Sequence, residues 1–306
     1  MDLRRLEVFL AIVDEGSFHG AADELGVSQP AVSQSMRVLE GELGAPLFHR
    51  VARGVRLTDA GEALCLPARL ALRDAEAARQ AVEAVKSLLS GHLELACLPT
   101  LAIDPLAPLL GAYRSAHPAV SITLLDPEDT ADVLDLVRSG RCELGLVGDA
   151  AATFGLVATH VATQVFDVVL PPGTVHADAL SVDELAAMPL VAPPRGSSSR
   201  DLLDGVLARG GHVPSVVVET AQREALLPLV LAGAGAALVP AALADYGRRL
   251  GCEVAALKPL VGRPVSLVRR DAACTPAAAA FCELADAHAA TDVAPRAGRG
   301  RPRAKR

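Results

Sequence analysis

A chain of 306 residues has room for about two domains at the usual ~150 residues each. With 51% hydrophobic and 21% charged residues it is not broadly disordered, and with 3% aromatics and no Trp its cores must be built from Ala, Val and Leu. A formal net charge of −7 excludes a protein that coats nucleic acid non-specifically, but leaves room for a local basic surface.

The opening MDLRRLEVFL carries acids inside a short amphipathic pattern, unlike a secretory signal, and no apolar run is long enough to span a bilayer. A cytoplasmic protein is expected. The six cysteines, Cys65, Cys97, Cys142, Cys252, Cys274 and Cys282, form no C-x-x-C pair and show no zinc spacing with His. They are expected to be mostly buried, reduced thiols.

In chain order, residues 2–15 predict a helix, with Leu3, Leu6, Phe9, Leu10 and Val13 on one face and Gly16 ending it. Ser17 can cap a second helix that turns Ala21, Ala22 and Leu25 inward, and Gly26 makes the next turn. Ser28 can cap a third helix, with Pro30 in its first turn, where a missing N–H costs little. Residues 43–58 contain no acid and predict a short ribbon turning at Gly54. From Asp59 to about Ser90 the pattern is long, Ala-rich and helical. Its narrow apolar stripe, Leu64, Leu70, Ala71, Ala78, Val82, Val85 and Leu89, calls for a partner helix and so for dimerisation.

After Gly91 strand-like runs alternate with helices. Strands are expected at LELACL, VSITLL, CELGLV, VFDVVLP, PLVA, PSVVVE, AALVP, EVAAL and PVSLVRR, with helices near 105–116, 130–139 and 276–290 and a capping box of Ser181 with Glu184. This alternation predicts an α/β domain with mainly parallel sheet. The tail, residues 291–306, carries six basic residues and one acid and is expected to be disordered. Its Arg299-Gly300-Arg301-Pro302 run matches the core of a minor-groove AT-hook, or serves only to solubilise.

The third helix carries the functional signal. Val32, Met36 and Leu39 share a packing face. Gln29, Ser33 and Arg37, spaced four apart, share another, with Gln34 beside them. Gln can pair bidentately with adenine, Ser can donate or accept, and Arg can reach guanine or phosphate, so this face suits a major groove. Arg50, Arg53 and Arg56 in the acid-free ribbon would lie over the phosphate backbone as a wing. The rival reading is a small bundle with a solvated polar face. It draws on the first 60 residues, where six arginines face nine acids.

The run AADELGVSQPAVSQSMRVLEGELGAPLFHR, followed by LTDAGEAL, resembles the LysR-type transcriptional regulators, and the organisation agrees over about residues 1–290. The resemblance implies a winged helix-turn-helix over 1–58, a linker and dimerisation helix over 59–90, and an effector-binding domain over 91–290. That domain would be α/β and like a periplasmic binding protein, with subdomain I at about 91–161 and 267–290 and subdomain II at about 162–266. Ser28, Gln29, Pro30, Ser33, Gln34 and Arg37 would lie at the groove, and Arg50 and Arg53 at the backbone. Such regulators act as dimers of dimers on interrupted dyad operators, often activating a neighbouring operon, which would bring a contact with RNA polymerase, and repressing their own gene.

Ligands of open α/β sheets collect at strand carboxyl ends and helix N-termini. Pro99 and Thr100 after LELACL, Gly148 and Asp149 after CELGLV, and Ser197, Ser198 and Ser199 after PLVA qualify. The resemblance places effector contacts in similar spots between the subdomains and adds the region of Thr220 and Gln222. Helix N-termini favour anions, so the effector is expected to be a small carboxylate or similar anionic metabolite. Each residue also has a plainer role: Thr100 as a cap, the serines as a surface loop, Asp149 as a solvated acid.

No cofactor, metal or catalytic residue is expected. GAGAAL at 233–238 follows a helix and is no dinucleotide fingerprint, and no G-x-S-x-G elbow occurs. A thiol redox sensor using Cys97 or Cys142 on the same head is a second class. A solute-binding protein is a third, disfavoured by the head.

Overall fold

The computed structural model describes residues 1–51, 54–84, 91–127, 129–148 and 155–292. Arg53, Asp149, Val85, Leu89 and the Arg299–Pro302 run lie outside the described residues, as does the side chain of Arg50.

The head consists of α1 (Leu3–Glu15), α2 (Phe18–Glu24), α3 (Gln29–Leu43), β1 (Phe48–Arg50) and β2 (Val55–Leu57). Asp2 caps α1, which ends on the left-handed Gly16, and Ser17 caps α2 by accepting from the Gly20 N–H. Ser28 precedes α3 but makes no side-chain cap bond, contrary to expectation; its backbone carbonyl accepts from Ala31 and Val32 instead. Val32, Met36 and Leu39 are buried against Phe9, Ile12 and Ala21. The Glu40 carboxylate accepts from the Leu47 N–H at 2.7 Å, tying α3 to the ribbon.

The linker helix α4 (Asp59–Ala84) starts at Thr58, whose Oγ1 accepts from the Gly61 N–H at 3.1 Å and donates to the Pro46 carbonyl at 2.7 Å. Its first half packs on the head through Ala60, Leu64, Cys65, Ala68 and Ala71. A two-pronged ion pair from Arg69 to Asp14, at 2.6 and 3.2 Å, fixes it to α1. Farther along, Val82 is exposed.

The larger unit contains β3 (Gly91–Cys97), α5 (Pro99–Leu101), α6 (Ala107–Ala116), β4 (Val120–Leu125), α7 (Thr130–Arg138), β5 (Leu144–Val147) and β6 (Leu156–Leu170). There follow β7 (Ala179–Ser181), α8 (Val182–Ala186), β8 (Leu190–Ala192), α9 (Ser198–Arg209), β9 (Val216–Glu219), α10 (Leu226–Leu231), β10 (Ala237–Pro240), α11 (Ala241–Leu250), β11 (Glu253–Arg270) and α12 (Pro276–Asp292). The capping box of Ser181 and Glu184 is present on α8. α12 runs to Asp292, two residues beyond the expected end, so residues 291 and 292 belong to it rather than to the tail.

The sheet order is β10-β6-β11-β5-β3-β4, with β7 also on β11. It is less parallel than expected. β3 pairs in parallel with β4 and β5, β7 with β11 and β8 with β9, but β11 is antiparallel to β5 and β6, and β10 to β6. The cause is the pair β6 and β11, which carries the chain out to a second core and back, and so must run in opposite directions. EVAAL and PVSLVRR, expected as separate strands, are the two ends of the single strand β11. β6 likewise begins nine residues before the expected VFDVVLP.

One core gathers Leu93, Leu95, Tyr113, Val133, Leu146, Val268 and Phe281 from β3, β5, β11, α6, α7 and α12. The buried Tyr113 hydroxyl donates to the Ala277 carbonyl at 2.7 Å, and its ring meets Phe281 edge-on at 5.4 Å. Buried Glu143 accepts from both the N–H and the hydroxyl of Thr275, at 2.6 and 2.8 Å, anchoring the start of α12. Two further clusters, around Phe166, Leu190 and Leu207 and around Val169, Val230 and Val239, form beyond the crossover strands.

Candidate DNA-reading helix and effector cleft

The exposed face of α3 is the first site. Ser28, Gln29, Pro30, Gln34 and Arg37 are exposed and Ser33 is half-buried. Arg37 donates to the Gln34 side chain at 3.4 Å, so the two hold each other on the open face. Gln29 and Ser33 border a shallow depression with Ser17, Phe18, His19, Val51, Gly54 and Val55, which joins the helix to the wing. Gly54 has φ +83°, and a Cβ there would meet the Gly16 carbonyl oxygen at 2.6 Å, so the wing turn can sit against α1 only with glycine. Exposed Arg56 pairs across the ribbon with His49. This is a packed helix with donors and acceptors displayed beside the ribbon that carries Arg56.

The second site lies where β6 and β11 cross between the cores, and its centre is Arg263, 8% exposed. Its Nε donates to the Gln164 side-chain oxygen at 3.0 Å, one terminal nitrogen donates to Thr100 Oγ1 at 2.7 Å and the other to Ser198 Oγ. Phe166 presents its ring 5.4 Å from the guanidinium carbon. Gly148 also lies against the group: a Cβ there would come within 3.0 Å of Cδ and Nε. Gln164 is itself buried, and its amide donates to the carbonyls of Thr100 at 2.9 Å and of Asp104.

All these partners are neutral, and among the described residues no carboxylate reaches Arg263. Burial alone drives its pKa down to about 10. An unpaired ion in such a place costs several kcal/mol. Arg200 shows the usual solution. Its surface is also covered, at 2% exposure, yet it bonds Asp204 at 2.8 Å and Glu219 at 3.1 Å, and its pKa is raised.

Three of the sequence-predicted effector residues, Thr100, Gly148 and Ser198, therefore meet on Arg263. Ser197 instead caps α9, accepting from the Arg200 N–H, and donates to the Pro194 carbonyl. Ser199 is half-buried one residue on, and Gln222 is exposed, with its N–H held by Thr220 Oγ1 at 3.0 Å; neither bonds Arg263. Thr100 does not cap the helix, since the capping position is Leu98.

Arg263, Gln164 and Phe166 escaped the sequence reading. Arg263 fell in the presumed gap between two strands, and Gln164 just ahead of VFDVVLP. The available signal was the lone cation in Gly262-Arg263-Pro264, flanked by two apolar runs.

The thiols nominated as sensors are poorly placed for it. Cys97 and Cys142 are buried, and burial pushes both up to about 12. Among the described residues no His, Cys, Asp and Glu cluster could hold a metal ion, and no helix is long and apolar enough to cross a membrane.

A helix-turn-helix with a wing, a linker helix and an α/β unit with a buried polar cluster at Arg263 define a DNA-binding regulator that responds to a small molecule. Two family models match: the bacterial regulatory helix-turn-helix protein of the lysR family over residues 3–62, and the LysR substrate binding domain over residues 86–290. The chain belongs to the LysR family of transcriptional regulators, and is a regulator rather than an enzyme.

It is 32% identical to the HTH-type transcriptional regulator IlvR of Caulobacter vibrioides over 254 residues, 81% of this chain and 85% of that one. It is 30% identical to the HTH-type transcriptional regulator YfeR of Shigella flexneri over 276 residues, 88% and 87% of the two chains. Among solved structures, CbnR, a LysR family regulator, matches with a TM-score of 0.66 at 25% identity, covering 94% of this chain and 99% of that one. CbnR complexed with its target DNA matches with a TM-score of 0.65 at the same identity.

Proposed function

We propose that this regulator reads an interrupted dyad operator through α3 and the wing, and that a small carboxylate held between the two C-terminal subdomains controls it. Ser28, Gln29, Pro30, Ser33, Gln34 and Arg37 face the groove, while Arg50 and Arg53 lie over phosphates. The division is head 1–58, linker 59–90 and effector domain 91–290, with subdomain I made of about 91–161 and 267–290 and subdomain II of about 162–266.

The observation that carries the carboxylate is the buried Arg263, bonded to Thr100 on one side of the crossover and Ser198 on the other, without an acidic partner among the described residues. A ligand carboxylate supplies the missing charge and two-pronged acceptor geometry that guanidinium suits. Gly148 forms the floor, and Ser197, Ser199 and Gln222 are assigned to the rim. Binding shifts the angle between subdomains only in so far as it favours one arrangement over the other.

Assembly follows from α4, whose exposed Val82 belongs to the stripe that wants a partner helix. We assign a homodimer through this helix, paired into a tetramer, with a contact to RNA polymerase when it activates. The free cysteines and the DNA target favour the cytoplasm.

Fluorescence anisotropy with labelled duplex from upstream of the protein's own gene, against random duplex across a salt series, tests the DNA reading. Tight binding to the upstream duplex alone is expected. Equal, weak and steeply salt-dependent binding to both would remove α3 as a reader of that site.

A further inference from the structure

We infer that the cleft takes a single monocarboxylate end-on at the terminal nitrogens of Arg263, and that Gln164 is the positioning residue that enforces this mode. The inference rests on the reading of the cleft as the effector site. A guanidinium has five N–H donors and two edges that fit a carboxylate, one including Nε and one formed by the two terminal nitrogens. Gln164 closes the first edge by accepting from Nε. Thr100 and Ser198 each take one N–H from a different terminal nitrogen, which leaves one further N–H on each. With its Nε edge bonded to Gln164, the Phe166 ring centroid 5.4 Å from its carbon and Gly148 against it, the group offers the cleft its terminal nitrogens.

Gln164 cannot reorient either. It is 1% exposed, and its amide nitrogen is engaged by the carbonyls of Thr100 and Asp104, so its oxygen must face Arg263. Glutamine here does what glutamate could not. It fixes the guanidinium and leaves the charge uncompensated. A carboxylate at this position would neutralise Arg263 internally, and the site would lose its call for an anion. With one cation among the described groups around it, the site favours a monoanion; a dianion would leave a second charge buried without a partner.

The test has two arms. In the first, thermal unfolding is measured without ligand for wild type, Gln164→Glu, Arg263→Met and the double variant. Gln164→Glu turns an oxygen toward the carbonyls of Thr100 and Asp104 that the amide had satisfied, so it is expected to lower Tm far less beside Arg263 than in the Arg263→Met background. Equal loss in both backgrounds would overturn the inference, because it would mean Arg263 is already neutralised.

In the second arm the full-length proteins are titrated with acetate, pyruvate, benzoate, succinate and inorganic phosphate, again followed by Tm. At least one monocarboxylate should stabilise wild type, with its apparent Kd weakened tenfold or more by Gln164→Glu. Arg263→Lys, which keeps the charge but loses the fork, serves as a second variant and should weaken it similarly. Stabilisation by succinate or phosphate alone would overturn the monoanion assignment. Equal stabilisation of wild type and Gln164→Glu would overturn the role of Gln164. Undiminished stabilisation of Arg263→Met would instead remove the cleft as the effector site.

Discussion

The DNA-reading head and the effector cleft treat arginine in opposite ways. On α3, Arg37 is exposed and makes one long bond to Gln34, four residues of a single helix carry most of the proposed reading face, and no core contact is sacrificed to display them. In the cleft, Arg263 is buried, and its partners come from positions 164, 198 and 100, on different elements. A groove-reading face must stay solvated until DNA arrives, so it is built locally and cheaply. A receptor for one small anion gains from low dielectric, where a single charge acts strongly, and it needs the whole fold to hold that charge in place.

Substitution of Arg263 by Met should separate the two regions most sharply. Removing one partner of a buried charge pair costs about 2–5 kcal/mol, or roughly thirtyfold or more in affinity. Effector titration of operator binding should then show no response at concentrations that saturate wild type. On the other side, Arg37→Ala should weaken operator binding by about 1–3 kcal/mol, the value of a two-pronged base contact, while random-duplex affinity changes far less. Equal loss on both duplexes, read by anisotropy, would make Arg37 a phosphate contact.

Gly148→Ala probes the floor of the cleft. Its Cβ would lie 3.0 Å from Cδ and Nε of Arg263, so the guanidinium must move. About tenfold weaker effector response is expected, together with the ~1–3 kcal/mol loss of stability usual for overpacking. An unchanged dose–response curve would show that the anchor tolerates displacement. Thr58→Ala acts at the junction instead. It removes the cap of α4 and the bond to Pro46, and should cost about 1 kcal/mol in denaturant unfolding with no selective effect on effector response.

The smallest effect concerns the thiols. Cys274 shares a hydrogen bond with Cys282, which holds its thiol below the usual range, helped by Arg269 and Arg270, whereas burial pushes Cys97 and Cys142 up to about 12. Because the thiolate reacts, iodoacetamide at pH 8 should label Cys274 first, and its rate should fall as the pH is lowered. Labelling of Cys97 or Cys142 ahead of Cys274, seen by peptide mass mapping, would contradict their burial.

The same contrast explains what could be read from the chain alone. The α3 face was legible because helical periodicity separates Val32, Met36 and Leu39 from Gln29, Ser33 and Arg37 within one short segment. Thr100, Gly148 and Ser198 were legible as strand ends and helix starts. Arg263 was not, because its significance depends on which segments 65 and 163 residues away in sequence come to face it. The parallel-sheet expectation failed for a related reason. Local pattern marks strands, but the direction of β6 and β11 is decided by the chain having to return.

That return has a practical corollary. Leu170 and Glu253 are paired neighbours in the sheet, so the stretch between them leaves and re-enters the rest of the molecule at one place. It is a cassette with adjacent ends. Exchanging residues 171–252 between two relatives would carry Ser197–Ser199 and Gln222 across, while Thr100, Gly148, Gln164 and Arg263 stay with the recipient. The charge preference of such a chimera would thus be inherited from one parent, and the opposite wall of its pocket from the other.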